Sequence, residues 1–127
     1  MQPTRPRILV VNQHQRNLQL LVEFLSQVDY DPLPVSSLQV LDQTLDVESN
    51  IGATLVDISG FGQEIWTRCE RLRQKRIPFV LIHPNLGPEA RHVWLKYRAD
   101  GIIAKPIAIQ ELINLIQYLL KDKEEPR

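Results

Sequence analysis

A doubly wound α/β fold is predicted by three observations. Short apolar runs alternate along the chain with longer stretches of helical spacing. The runs are continuous rather than alternating with polar residues, as strands of a parallel sheet covered on both faces require. Three of them also end in polar groups: Ile8-Leu9-Val10-Val11 leads into Asn12-Gln13, Thr54-Leu55-Val56 into Asp57, and Gly101-Ile102-Ile103-Ala104 into Lys105-Pro106. If these strands lie side by side, their polar ends meet at one edge of the sheet, where doubly wound folds place their crevice.

The elements follow in order. Arg7–Asn12 reads as a buried strand. Asn17 to Val28 carries Leu18, Leu21, Val22, Leu25 and Val28 on one stripe, with Gln19, Glu23 and Gln27 off it, as an amphipathic helix requires. A short second strand over Pro32–Val35 contains prolines that suit a sheet edge. Ser36 with Gln39 reads as a capping box that starts a second helix bearing Leu38, Leu41 and Leu45 and fading near Glu48. Ala53–Asp57 is the third strand, and Gly60 and Gly62 loosen the backbone after it. A third helix runs from about Gln63 to Gln74 on Ile65, Cys69 and Leu72. Pro78–His83 is the fourth strand. Pro88 suits the first turn of a fourth helix, which reaches about Tyr97. Gly101–Ala104 is the fifth strand, and Ile109, Leu112, Ile113, Ile116, Leu119 and Leu120 share one face of the last helix.

A βα unit repeated five times, with right-handed crossovers, gives a (βα)5 parallel sheet between two helical layers. The order 2-1-3-4-5 fits best, a flavodoxin-like three-layer sandwich with its switch point between strands one and three. Asn12, Gln13 and Asp57 belong at that point.

Length and charge narrow the function. At 127 residues one domain is expected, with a core burying roughly two thirds of the unfolded surface. We assign residues 7–121 to it, with tails at 1–6 and 122–127. Lys plus Arg number 15 and Asp plus Glu 15, so no basic excess suggests a nucleic-acid partner. A single cysteine, Cys69, rules out an intrachain disulfide and a Cys-based zinc site, and it reads as a small buried hydrophobe. There is no signal-peptide core and no apolar run near the roughly 20 residues that span a bilayer, so a cytoplasmic protein without a membrane partner is expected. No glycine-rich phosphate loop, nucleophile–base pair or cofactor motif points to an enzyme. Trp66 and Trp94 read as partial core.

At this point the residues resemble a family. Ile8-Leu9-Val10-Val11-Asn12-Gln13, followed by Asn17-Leu18-Gln19-Leu20-Leu21, is similar to the first strand and helix of response-regulator receiver domains, in the chemotaxis-regulator fold. Asp57 falls where the phosphoacceptor aspartate is expected. Arg71-Leu72-Arg73, Ile77-Pro78-Phe79-Val80-Leu81-Ile82 and Ala99-Asp100-Gly101-Ile102-Ile103-Ala104-Lys105-Pro106 resemble the end of helix three, strand four and strand five with its Lys-Pro. The resemblance implies a phosphoacceptor Asp57, a site lined by the residues at Asn12, Gln13, His83, Lys105 and Pro106, and a switch pair at His83 and Ile102.

The departures carry the functional information. Asn12 and Gln13 replace the family's acidic pair, His83 its Thr or Ser, and Ile102 its aromatic switch residue. Phe61 stands for a proline, Glu64-Ile65 for an Asp-Gly pair, and Arg98 for the glycine that ends helix four. With the acidic pair gone, one carboxylate faces one ammonium in an open, half-exposed site, and no dication is needed to balance it. Mg²⁺ prefers charged oxygens in an octahedral shell, so it should bind weakly or not at all; no other cofactor and no metal site is expected. His83 is too large to copy the hydroxyl's move, and it reads as a packed residue rather than a metal ligand.

The expected role is a degenerate receiver, or pseudo-receiver, in two-component or phosphorelay signal transduction: a phosphorylation-independent protein-interaction module. Its partner is a sensor kinase or other signalling protein, or a second copy forming a homodimer. The family's usual surface, helix four, strand five and helix five, would present Arg91, Leu95, Arg98 and Ile102, with Gln110, Asn114 and Lys121 beside them. Ile102 should either turn inward as core or add to an exposed patch. One alternative is a true phosphoacceptor, charged at Asp57 by a histidine kinase. Another is a small ligand-binding or enzymatic domain on the same fold.

Overall fold

The structure is a computed structural model that describes residues 5–124. Residues 1–4 and 125–127, most of the N-terminal tail and the end of the C-terminal one, lie outside the described residues. The elements are β1 (Arg7–Val11), α1 (Gln15–Gln27), β2 (Asp31–Val35), α2 (Leu38–Val47), β3 (Ile51–Asp57), a 3-10 turn (Gly62–Glu64), α3 (Ile65–Gln74), β4 (Phe79–His83), α4 (Pro88–Tyr97), β5 (Gly101–Ala104) and α5 (Ile109–Glu124). All strand pairs are parallel, and the sheet order is β2-β1-β3-β4-β5. The expected (βα)5 topology is therefore the observed one.

Alternation along the strands divides the core between the two faces. Ile8, Val10, Ala53, Leu55, Val80, Ile82 and Ile103 pack with Leu18, Leu21 and Leu25 of α1 and Leu112, Ile116 and Leu119 of α5. Leu9, Val11, Val56, Phe79 and Leu81 pack on the other face with Leu41 and Leu45 of α2 and Ile65, Cys69 and Leu72 of α3. A fully buried leucine such as Leu25 contributes about 1.5–3 kcal/mol relative to exposure. Asn12, Asp57 and Lys105 continue the α1/α5 parity of their strands, and His83 that of the α2/α3 face.

The second helix starts one residue later than its sequence suggests. Ser37, with extended backbone, is the N-cap, and its hydroxyl accepts from the Val40 N–H at 3.2 Å. The Ser36–Gln39 capping box is therefore a misreading between two adjacent serines. Here α2 and α3 are joined by charge: Arg68 forks onto both carboxylate oxygens of Asp42 at 3.1 and 2.8 Å, and Arg71 reaches Asp46.

On the remaining flank, α4 is thinly anchored. Its only buried residue is Ala90. Tyr97 stacks on Trp66 of α3, with ring centres 4.5 Å apart, and Trp94 donates its indole N–H to the Ala99 carbonyl at 2.9 Å. The helix ends on Arg98 at φ 55°, a left-handed conformation that glycine adopts without strain.

Candidate functional site

The register builds the site. Val11 pairs with Val56 and Asp57 with Ile82, so the ends of β1, β3 and β4 stand level. His83 pairs with Ala104, which brings Lys105 to the same edge, and the Lys105 N–H donates to the His83 carbonyl at 3.0 Å. The Lys105–Pro106 peptide is cis.

Asp57 is the centre. Its Oδ2 lies 2.8 Å from Lys105 Nζ and accepts from Asn12 Nδ2 at 3.3 Å. Its Oδ1 accepts from the Ser59 N–H at 3.0 Å. Lys105 Nζ also donates to Ser59 Oγ at 3.1 Å. Asn12 is held in turn, since its Oδ1 accepts from the His14 N–H at 2.8 Å. Asn12 and Asp57 are both buried, each 3% exposed.

This burial corrects the expectation of an open, half-exposed carboxylate. The ammonium and two neutral N–H groups already satisfy Asp57, so it can leave water. Gln13 itself is exposed and lies against Gly60. A Cβ built on Gly60 would lie 2.0 Å from Gln13 Oε1, so only a glycine admits this contact, and Gly60 also has φ 87°. Asn12, Gln13, Ser59, Gly60 and Lys105 line one cleft at this edge, whereas Asp57, Lys105 and Pro106 line an apolar one on the α1/α5 side.

The donor set does not fit a Mg²⁺ centre. Asp57 is the single carboxylate of the constellation, and its Oδ2 is taken by an ammonium. Asn12 presents its amide nitrogen to Asp57 and commits its oxygen to His14. Mg²⁺ needs several hard oxygens around it. Among the described residues no group of three or more His, Cys, Asp or Glu could hold a metal ion.

His83 is 5% exposed at the end of β4, and its Nδ1 accepts from the Asn85 N–H at 3.3 Å. That bond requires an unprotonated Nδ1. Ile102 is half-buried: it packs partly into the α2/α3-side core, and its remaining surface lines two clefts beside Trp94. Around it Arg91, Leu95 and Arg98 are exposed, Leu95 to 68%. The structure thus joins Asn12, Asp57 and Lys105 in one bonded group and leaves the α4 residues as a separate surface.

Sequence reasoning missed Ser59 as a partner of Asp57 and Lys105, and it weighed His14 only as a conceivable metal ligand with His83 and Asp57, not as the backbone donor to Asn12. Both follow an acceptor by two residues, Asp57 and Asn12, and each closes the same turn in which a side-chain oxygen takes the N–H two positions on. The signal for these turns lay in Asp57 and Asn12 themselves, since the donor is a backbone N–H that any residue but proline supplies.

The fold and the site can be set against known proteins. No family model matches the chain. The transcriptional regulatory protein BaeR of Escherichia coli O6:H1 is 28% identical over 118 residues, covering 91% of this chain and 48% of its own length. The chain therefore spans about half the length of this curated relative. A two-component response regulator from Clostridium difficile superposes with a TM-score of 0.82 at 18% identity, covering 95% of this chain and 100% of that one. The receiver domain of the Francisella response regulator 1452 gives 0.80 at 18% identity, over 94% and 100%. The BeF3-activated receiver domain of DrrB gives 0.75 at 16%, over 93% and 99%. The fold is that of response-regulator receiver domains.

Proposed function

We propose that this chain is a degenerate receiver, a two-component signalling module that engages protein partners without phosphorylation of Asp57. One observation carries the reading: Asp57 is buried and already balanced by Lys105 at 2.8 Å, with amides where the receiver family has its acidic pair. Phosphoryl transfer depends on positioning and on cancelling the charge of the transferring group. Here the one cation is engaged by the acceptor itself, and the donor set does not suit the dication that would replace it.

The relay residues support the same conclusion. His83 is fixed by Asn85, and Ile102 is half in the core. A switch needs two states that differ in their contacts with the ligand. Neither side chain offers a hydroxyl that could follow a phosphoryl group. The partner is a sensor kinase, another signalling protein or a second copy, met through α4, β5 and α5.

A second reading keeps Asp57 as a true phosphoacceptor. It draws on the strand-end carboxylate with a lysine beside it, and on the partial likeness to a transcriptional regulatory protein. Incubation with acetyl phosphate and Mg²⁺, followed by intact-mass measurement, separates the two. An unchanged mass is expected. A gain of one phosphoryl group that disappears in Asp57→Asn would establish the second reading.

A further inference from the structure

The cleft lined by Gln13 and Ser59 is not the only opening beside Lys105. On the α1/α5 side, a second cleft is walled by Leu20, Phe24, Ile107 and Ile109, and its polar lining is Asn12, Asn17, Asp57 and Lys105. Its walls are unusually apolar for a surface feature: Leu20 is 52% and Ile109 42% exposed, although neither belongs to the α4 face. An apolar body with a few convergent polar groups is the common form of a small-molecule site.

The hydrogen-bond inventory of this polar lining selects the ligand. Asp57 already accepts from Lys105, Asn12 and Ser59. Lys105 has three N–H bonds, and Asp57 and Ser59 Oγ engage two of them. Asn17 adds an exposed amide on the first turn of α1. The third Lys105 N–H and the Asn17 amide N–H groups remain able to donate, so a head group that accepts fits between them. A dianion would face Asp57 with a single ammonium between them, whereas a monoanion shares that ammonium at less cost.

We propose that this cleft binds a small amphipathic carboxylate, its carboxylate on Lys105 and Asn17 and its aliphatic tail against Leu20, Phe24, Ile107 and Ile109. The proposal goes beyond the interaction role and holds whether or not Asp57 accepts phosphate. Each methylene drawn into the cleft tightens binding by up to about fourfold.

Titration calorimetry with octanoate, kept below its micellar concentration, tests this, with 1-octanol and butyrate as the head and tail controls. Octanoate should give a saturable isotherm, and both controls should bind at least about tenfold more weakly. Asn17→Asp sets a like charge beside the head group and Leu20→Asp sets one on the tail wall. Both positions are exposed, and Asp suits the first turn of a helix, so thermal unfolding should stay near that of the wild type. Each variant should weaken octanoate at least about tenfold. No saturable isotherm, equal affinity for octanol, or wild-type binding by both variants would overturn the proposal.

Discussion

Lys105 Nζ sits 2.8 Å from Asp57 Oδ2, and the two partners differ in burial: the aspartate side chain is 4% exposed, the lysine 32%. The cost of breaking the pair therefore falls on the carboxylate. In Lys105→Met, Asp57 keeps the Asn12 and Ser59 N–H groups but loses its one cation in a poorly hydrated place. A loss of about 1–3 kcal/mol in urea unfolding at pH 7 is expected, more than an exposed ion pair contributes. The double variant Lys105→Met with Asp57→Asn should regain much of it, because no charge is then left buried. A single-variant loss below about 0.5 kcal/mol would mean that water reaches Asp57 freely.

Restoring the acidic pair tests the charge balance from the other side. Asn12→Asp with Gln13→Asp puts two carboxylates beside a buried third, which repel one another unless a cation intervenes. This variant should melt below the wild type without Mg²⁺ and recover at millimolar Mg²⁺. The wild type should show no Mg²⁺ dependence. A variant equally stable in both conditions would mean that the two side chains do not converge on Asp57.

Much of this site could be read from the chain, and the reason is topological. In a parallel sheet the strand ends form the crevice, so apolar runs that end in Asn12, Asp57 and Lys105 bring those three side chains to one edge. What could not be read depends on side-chain placement. The burial of Asp57 goes with the Lys105 ammonium, the Asn12 amide and the Ser59 N–H closing on it, and Gln13 lies separately against Gly60. None of these contacts has a periodic signature. Local ambiguity explains the capping error too, since Ser36 and Ser37 are chemically equal and only the extended backbone of Ser37, at φ −144°, selects it.

Cys69 gives the fold a pH dependence at the alkaline end. It is fully buried on the inner side of α3, and burial, with a smaller contribution from Glu70, pushes its thiol from 9.0 up to about 12. The unfolded chain loses this proton near pH 9 and the folded chain does not. Above pH 9 the unfolded state therefore binds fewer protons, and stability falls as pH rises towards 12, by up to about 1.4 kcal/mol per pH unit. Tyr30, also raised by burial, adds to the slope in the same direction at higher pH. Urea midpoints followed from pH 8 to 10.5 should decline more steeply for the wild type than for Cys69→Ala. Parallel curves would show that the thiol is not protected by the fold.

The last expectation concerns the α4–β5–α5 surface. Arg91 and Leu95 stand exposed four residues apart on α4, Ile102 is half-buried on β5, and Tyr118 is 65% exposed on α5. Arg91 and Ile102 line one cleft, Ile102 and Tyr118 the next, and Trp94 borders both. An apolar strip with aromatic residues and arginines at its margins has the composition of interface hot spots. Its charge is mixed, because Glu111 shares the second cleft with Tyr118. If this surface works constitutively, association cannot depend on a phosphodonor. Sedimentation of the wild type, Ile102→Asp and Arg91→Glu, each with and without acetyl phosphate, separates the cases. Ile102→Asp brings a charge to the centre of the strip and should abolish association, whereas Arg91→Glu at its margin should weaken it. Neither should respond to acetyl phosphate. A wild type that is monomeric in both conditions would assign the surface to a different protein. Association appearing only with acetyl phosphate would require Asp57 to accept the phosphoryl group and His83 and Ile102 to transmit it, from a buried and a half-buried position respectively.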